Sequence, residues 1–291
     1  MKVSGFTFVK NGIIYDYPIV EAIRSILPIC DEVVVAVGKS DDETLSLVEN
    51  IDPEKVKIVH TEWDETLREG GKVLAIETDK AFKSISADSD WAFYIQGDEV
   101  LHEKFLDPVL QAMERSINDR SIDGLLFNYL HFFGSYDHIG TSSEWYGKEI
   151  RIIRNDPSIY SYKDAQGFRK GENEKLVVTP ANAYIYHYGW VKDPRAMQLK
   201  QENFNKLWHN DEWVRNNVAK AQEFDYSAQM KTLARFTDEH PAVMKDRISK
   251  KNWHYDHDIT FNKKSLKDRI KDFLFKYLKI DTGYKNYILN R

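Results

Sequence analysis

The chain has 291 residues, 42% hydrophobic and 30% charged, with a formal net charge of −5. That length gives one large domain, or a large domain with an appendage, and the acidic balance argues against nucleic acid as the partner. The single cysteine, Cys30, excludes an internal disulfide and fits a reducing cytoplasm.

Val3 to Val9 is a short apolar run closed by Lys10-Asn11-Gly12, which predicts a buried strand and a turn. It is too short for the core of a secretory signal, and no later segment reaches transmembrane length. Ile19, Val20, Ile23, Ile26 and Leu27 recur at helical spacing behind Pro18. Val33-Val34-Val35-Ala36-Val37 is the strongest strand signal, followed by the polar loop Gly38 to Asp42 and a helix from Thr44 to Glu49. A third strand spans Val56 to His60. Gly70-Gly71 breaks the chain before a helix from Lys72 to Ile85. A fourth strand, Trp91 to Ile95, ends in Gln96-Gly97-Asp98-Glu99, and His102 to Ser116 reads as helical. Strands and helices alternating in this way predict an α/β fold with a mixed, mostly parallel sheet and helices on both faces.

The pattern then changes. Strands are expected at Gly124 to Phe133, Glu149 to Arg154, Leu176 to Val178 and Ala183 to Tyr188. From Ala196 onward the chain reads as mostly helical, so residues 1–195 are expected to form the main domain and 196–291 a helical extension packed on it. Within the first unit, 1–100 and 101–195 are expected to form two halves. Phe261 to Arg291 carries nine Lys and Arg against three Asp. Its apolar stripe (Leu266, Ile270, Phe273, Leu274, Tyr277, Leu278) suits either a helix packed on the body or an in-plane membrane contact over 262–279.

Ligands of open parallel sheets bind beyond the carboxyl ends of the strands. The polar groups in those places are Lys10 and Asn11, Ser40 to Asp42, and Gln96 to Glu99. There is no G-x-G-x-x-G after the first strand and no P-loop, which argues against hydride transfer and P-loop chemistry.

The run Asp31 to Val35 followed by Gly38-Lys39-Ser40-Asp41-Asp42-Glu43-Thr44 resembles the second strand and loop of family 2 glycosyltransferases, whose fold is called GT-A. Ser40, Asp42 and Thr44 match that family's D-x-x-S-x-D-x-T text, while Val37 or a neighbour holds the place of its first Asp. Trp91 to Glu99 is similar to the strand that carries the family's D-x-D motif and reads Gln-x-Asp here. Tyr186-His187-Tyr188-Gly189-Trp190 resembles the segment that supplies a histidine to the metal or the diphosphate. The resemblance implies transfer of a sugar, UDP-linked in the first instance, to a glycan or lipid-linked acceptor with inversion, in surface polysaccharide synthesis at the cytoplasmic face. It also implies Mn²⁺ or Mg²⁺ to neutralise a diphosphate leaving group.

On that basis Asp98, Glu99 and His187 are the candidate metal ligands. Lys10, Asn11, Ser40, Asp42, Arg68, Lys72, Gln96 and Gly97 are the candidate donor contacts. Asp164 is the candidate base for the acceptor hydroxyl, with Glu144, Glu149 and Glu172 as rivals. Phe132-Phe133-Gly134-Ser135-Tyr136 and Trp145-Tyr146 form either an acceptor wall or core. His254 to Asp258 reads as a solvated surface rather than a ligand cluster. Two other classes stay open: a non-catalytic sugar-nucleotide scaffold, and a sugar-phosphate nucleotidyltransferase. Against the second, the loop after the first strand is only Lys10-Asn11-Gly12, neither glycine-rich nor long.

Overall fold

A computed structural model describes residues 1–64, 66–68, 70–142, 145–218, 220–228, 232–259 and 285–290. The expected stripe over 262–279 and the rival Glu144 lie outside them. The first half runs β1 (Val3–Val9), α1 (Ile19–Ile26), β2 (Glu32–Gly38), α2 (Thr44–Glu49), β3 (Val56–Thr61), α3 (Lys72–Phe82), β4 (Trp91–Tyr94), β5 (Glu99–Leu101) and α4 (Leu106–Ser116). The second runs β6 (Gly124–Phe133), β7 (His138–Gly140), β8 (Lys148–Arg154), β9 (Ile159–Tyr162), β10 (Gly167–Lys170), β11 (Glu174–Lys175) and β12 (Val177–Trp190). Then come α5 (Pro194–Lys206), α6 (Asp211–Asn217), β13 (Leu233–Arg235), α7 (Lys245–Ser249) and β14 (Ile288–Leu289).

Strand β1 pairs in parallel with β2 and β4, and β2 with β3. The antiparallel β8 lies between β4 and β6, and β12 runs parallel to β6. This mixed, mostly parallel sheet with helices on its faces is the GT-A-like architecture that the resemblance implied. The unbroken valine run of β2 is buried along its whole length because both faces are covered. Val33, Val35 and Val37 join Ile19, Ile23 and Ile26 of α1 in one core layer. Val34 and Ala36 turn the other way, to Val73 and Ala81 of α3.

Two expectations need correction. Residues 177–178 and 183–188 belong to one strand, β12, whose register to β6 shifts between Pro180 and Tyr184, and Leu176 lies just before it. Proline cannot donate to the ladder, and Asn182 takes a φ of 55°, so the sequence pattern breaks where the strand only bulges. The residues after Ala196 are also less helical than read: β13 pairs with β7, and β14 adds to β12 beside Val177 and Val178. Helix α5 does form, with Pro194 in its first turn and the Asp193 carboxylate accepting from Arg195 N.

Candidate functional site

A cleft of about 250 Å³ opens at the carboxyl ends of β1 and β4 and is closed on one side by α5. Its lining includes Lys10, Trp63, Gln96, Gly97, Asp98, Asp164, His187 and Lys200. These residues come from six separate stretches of chain, which the sheet order brings to one rim.

Asp98 follows β4 and is buried. Its Oδ2 accepts from Lys200 Nζ of α5 at 3.1 Å, and Lys200 also donates to the Gly189 carbonyl at 2.9 Å. Burial by itself would raise the Asp98 pKa. The ammonium of Lys200, by its charge and its hydrogen bond, outweighs it and holds the carboxyl well below the usual range, so Asp98 is an anion. Lys192 is fully buried, donates to the Asp16 carbonyl at 2.7 Å and lies 4.5 Å from the Tyr17 ring centre. Burial, with Lys200 nearby, pushes the Lys192 pKa far down.

The tautomer of His187 follows from its neighbours. His131, its register partner on β6, has Nε2 2.8 Å from the Tyr146 carbonyl oxygen. A carbonyl only accepts, so that nitrogen carries the proton. Burial, with His187 beside it, drops the His131 pKa to about 3, so the ring is neutral and its Nδ1 is an acceptor. The 3.0 Å contact between His131 Nδ1 and His187 Nδ1 therefore takes its proton from His187. Burial lowers the His187 pKa too. Its Nε2 is left as a bare lone pair, 3.6 Å from Asp98 Oδ1. That separation is no hydrogen bond, and two acceptors face one another across it.

The space beside them is kept open by Gly189. A Cβ there would lie 2.7 Å from both Asp98 Oδ2 and His187 Nε2. A carboxylate oxygen and a neutral imidazole lone pair around such a gap are a donor set that fits a divalent cation. Among the described residues no group of three or more His, Cys, Asp or Glu converges on one point, so further ligands would come from substrate or water.

Asp164 sits in the turn between β9 and β10. A Cβ at Gly71 would meet the Asp164 Cβ at 2.8 Å and the Trp208 ring at 3.2 Å, so glycine there lets the chain close over it. Burial raises the Asp164 pKa, and its carboxylate takes no other side chain as partner among the described residues. Trp190 and Tyr146 add aromatic faces to the cleft, and Trp63 packs at its β1 end beside Phe8, ring centres 5.8 Å apart.

Several sequence expectations fail. Glu99 points away from the cleft: both of its oxygens accept from Arg151, at 2.8 and 2.7 Å, and Oε1 also from Tyr129 Oη at 2.7 Å. It is a fully buried ion pair, not a metal ligand. Asn11, Ser40 and Asp42 knit two loops together. Asn11 N donates to Ser40 Oγ, Asp42 Oδ2 accepts from Ile13 N and Ile14 N, and Asp42 Oδ1 accepts from Thr44 N. None of the three lines the cleft. Arg68 is half-buried outside the cleft lining, donating to the Lys206 carbonyl and pairing with Asp211, and Lys72 is solvent-exposed. Phe132, Phe133 and Tyr136 are core. Of the rival carboxylates, Glu172 is exposed, while Glu149 is buried outside the cleft lining. In the 254–258 stretch, Tyr255 is buried and Asp256 is exposed, paired with Arg235 at 2.8 Å.

Sequence reasoning missed Lys192, Lys200, His131 and Tyr17. His131 carried one signal, a polar residue inside the apolar aromatic strand Leu125 to Phe133. Lys200 carried none, because a lysine on an amphipathic helix is ordinary.

A lysine-flanked cleft at the carboxyl rim of an α/β sheet lies where open sheets of this kind bind their ligands. No protein-family model matches the chain, and no curated protein resembles it in sequence. Solved structures do overlap with it. The crystal structure of S. aureus TarS is 17% identical, covering 70% of this chain and 39% of that one, with a TM-score of 0.42. TarS 1-349 in complex with UDP is 16% identical, covering 76% and 68%, also at 0.42. Glucosyl-3-phosphoglycerate synthase from Mycobacterium tuberculosis, complexed with Mn²⁺, UDP and glucosyl-3-phosphoglycerate, is 18% identical, covering 46% and 45%, at 0.31. The chain thus spans about two fifths of the first of these. At such scores the superpositions are partial, and the chemistry of the cleft has to come from the chain's own residues.

Proposed function

We propose that the protein transfers a sugar from a nucleotide-diphosphate donor, UDP-linked in the first instance, to the hydroxyl of a glycan or lipid-linked acceptor. The observation that carries this reading is the open gap between the bare Nε2 of His187 and the Asp98 carboxylate, in a cleft with Lys10 and Lys200 at hand. Asp98 and His187 would hold Mn²⁺ or Mg²⁺. Such an ion, when bound, neutralises the negative charge of a diphosphate. Lys200 supplies a second positive charge at the same place.

Asp164 is the base in this reading. Its partly buried, singly placed carboxylate takes the proton of the acceptor O–H. The acceptor oxygen forms its bond to the anomeric carbon, and the bond from that carbon to the diphosphate oxygen breaks, its electron pair leaving on the diphosphate. One displacement of this kind inverts the configuration. A raised pKa suits proton uptake near neutral pH. Tyr146 and Trp190 offer the apolar faces on which sugar rings stack. Residues 1–195 hold most of these groups, with Lys200 contributed from 196–291. The acceptor belongs to surface polysaccharide synthesis at the inner face of the membrane. No helix among the described residues is long and apolar enough to cross a membrane.

The test is a thermal-shift screen of nucleoside diphosphates and their sugars with and without Mn²⁺, since a ligand that binds the native state raises its Tm. A UDP-dependent rise that grows with Mn²⁺ supports the reading. No shift with any nucleoside diphosphate rejects it.

A further inference from the structure

The turn that carries Asp164 is held in an unfavourable backbone. Lys163 and Ala165, on either side of it, have φ values of 56° and 63°. A residue with a Cβ is strained in that left-handed region. Two side chains hold the turn from the sheet. Arg151 Nη1 donates to the Gln166 carbonyl at 3.2 Å, and Gln96 Nε2 donates to the Ala165 carbonyl at 3.1 Å. Because a carbonyl only accepts, the Gln96 amide is oriented with its NH₂ toward the turn. Tyr94 Oη, 3.4 Å from the same nitrogen, steadies it. Gln96 is two residues from Asp98, so one short segment after β4 both presents the cation-binding carboxylate and grips the turn of the base.

We propose that Gln96 is a positioning residue: its N–H locks Asp164 in place relative to Asp98, and so joins the donor side of the cleft to the acceptor side. The inference rests on the reading of Asp164 as the base. Only an amide at this position serves. A glutamate has nearly the same shape, but it sets an acceptor against the Ala165 carbonyl, and the two repel. The tie then opens, and Ala165 relaxes from the left-handed region.

The experiment compares wild type, Gln96→Glu, Ala165→Gly and the double variant. The readouts are kcat, the Kd for UDP, and hydrogen exchange at the amides of 163–167. Gln96→Glu should lower kcat about 10²-fold, the scale of a misplaced catalytic group, with the UDP Kd within about twofold. Ala165→Gly alone should change little. In the double variant glycine enters the left-handed conformation without steric strain, so the native turn is populated more often without the tie and kcat should recover about tenfold relative to Gln96→Glu. A weakened UDP Kd with unchanged kcat would make Gln96 a donor contact and overturn the proposal, as would a double variant no better than Gln96→Glu. Should the wild type transfer no sugar, the functional reading fails on its own. The tie is then judged by exchange at 163–167, which must rise in Gln96→Glu; exchange there equal to that of the wild type overturns it.

Discussion

Two polar clusters stand at the same rim of the sheet and have opposite characters. After β2, Asn11, Ser40, Asp41, Asp42 and Thr44 satisfy one another and the neighbouring backbone. After β4, Asp98 and His187 face each other as acceptors, and Asp164 has no side-chain partner among the described residues. Two lone-pair donors that face one another gain from a cation set between them, whereas the first cluster already has its partners. Polar residues at strand ends are therefore a weak guide to a binding site, and the incomplete cluster is the better one.

The sharpest break of this contrast is Asp98→Asn. It removes the anion on which Lys200 and the proposed cation both depend, and transfer should fall by about 10³-fold or more, measured as kcat/KM, with the far-UV spectrum unchanged. Asp164→Asn keeps size and loses the base. It should lower kcat by about 10²-fold while the UDP Kd stays put.

Glu149 sharpens the comparison from below the cleft. Its Oε2 is buried with no partner, and burial, opposed by Arg151 and reinforced by Glu99 and Asp164, lifts its pKa to about 8. A carboxyl whose pKa is higher folded than unfolded binds more protons when folded. Stability from this group is present below the unfolded value and is lost as pH rises toward 8, by at most roughly 1.4 kcal/mol per pH unit. Denaturation of Glu149→Gln should lack that slope between about pH 5 and 8. A wild type and variant with parallel profiles would show that Glu149 is ionised in the fold.

The smallest effect belongs to the satisfied cluster. Asp42→Ala should cost about 1 kcal/mol of stability, the scale of a lost hydrogen bond, with the UDP Kd within twofold. A tenfold loss of UDP binding there would restore Asp42 to the donor contacts.

Much of the sheet was legible because its evidence is local. The valine run of β2 and the helical spacing of α1 each name their element and buried face. Strand β12 was cut in two because Pro180 mimics a strand end, and β5 went unseen because three residues after a turn give no period. The site was legible only in part. Asp98, Asp164 and His187, which the fold brings to one cleft, were candidates from the order of motifs. The turning-away of Glu99 could not, since it depends on Arg151, far along the chain in β8. Lys200 and His131 likewise become site residues only through packing of α5 and the β6–β12 register.

The cleft's central feature is the gap between Asp98 and His187 that Gly189 keeps open, and Mn²⁺ binding tests it most directly. Electron paramagnetic resonance titration of Mn²⁺ in the presence of UDP should show one site per wild-type chain. Gly189→Ala, which fills the gap with a methyl group, should weaken that site at least about tenfold without lowering Tm by more than a few degrees. Equal Mn²⁺ binding by wild type and Gly189→Ala, or none by either, would contradict the account.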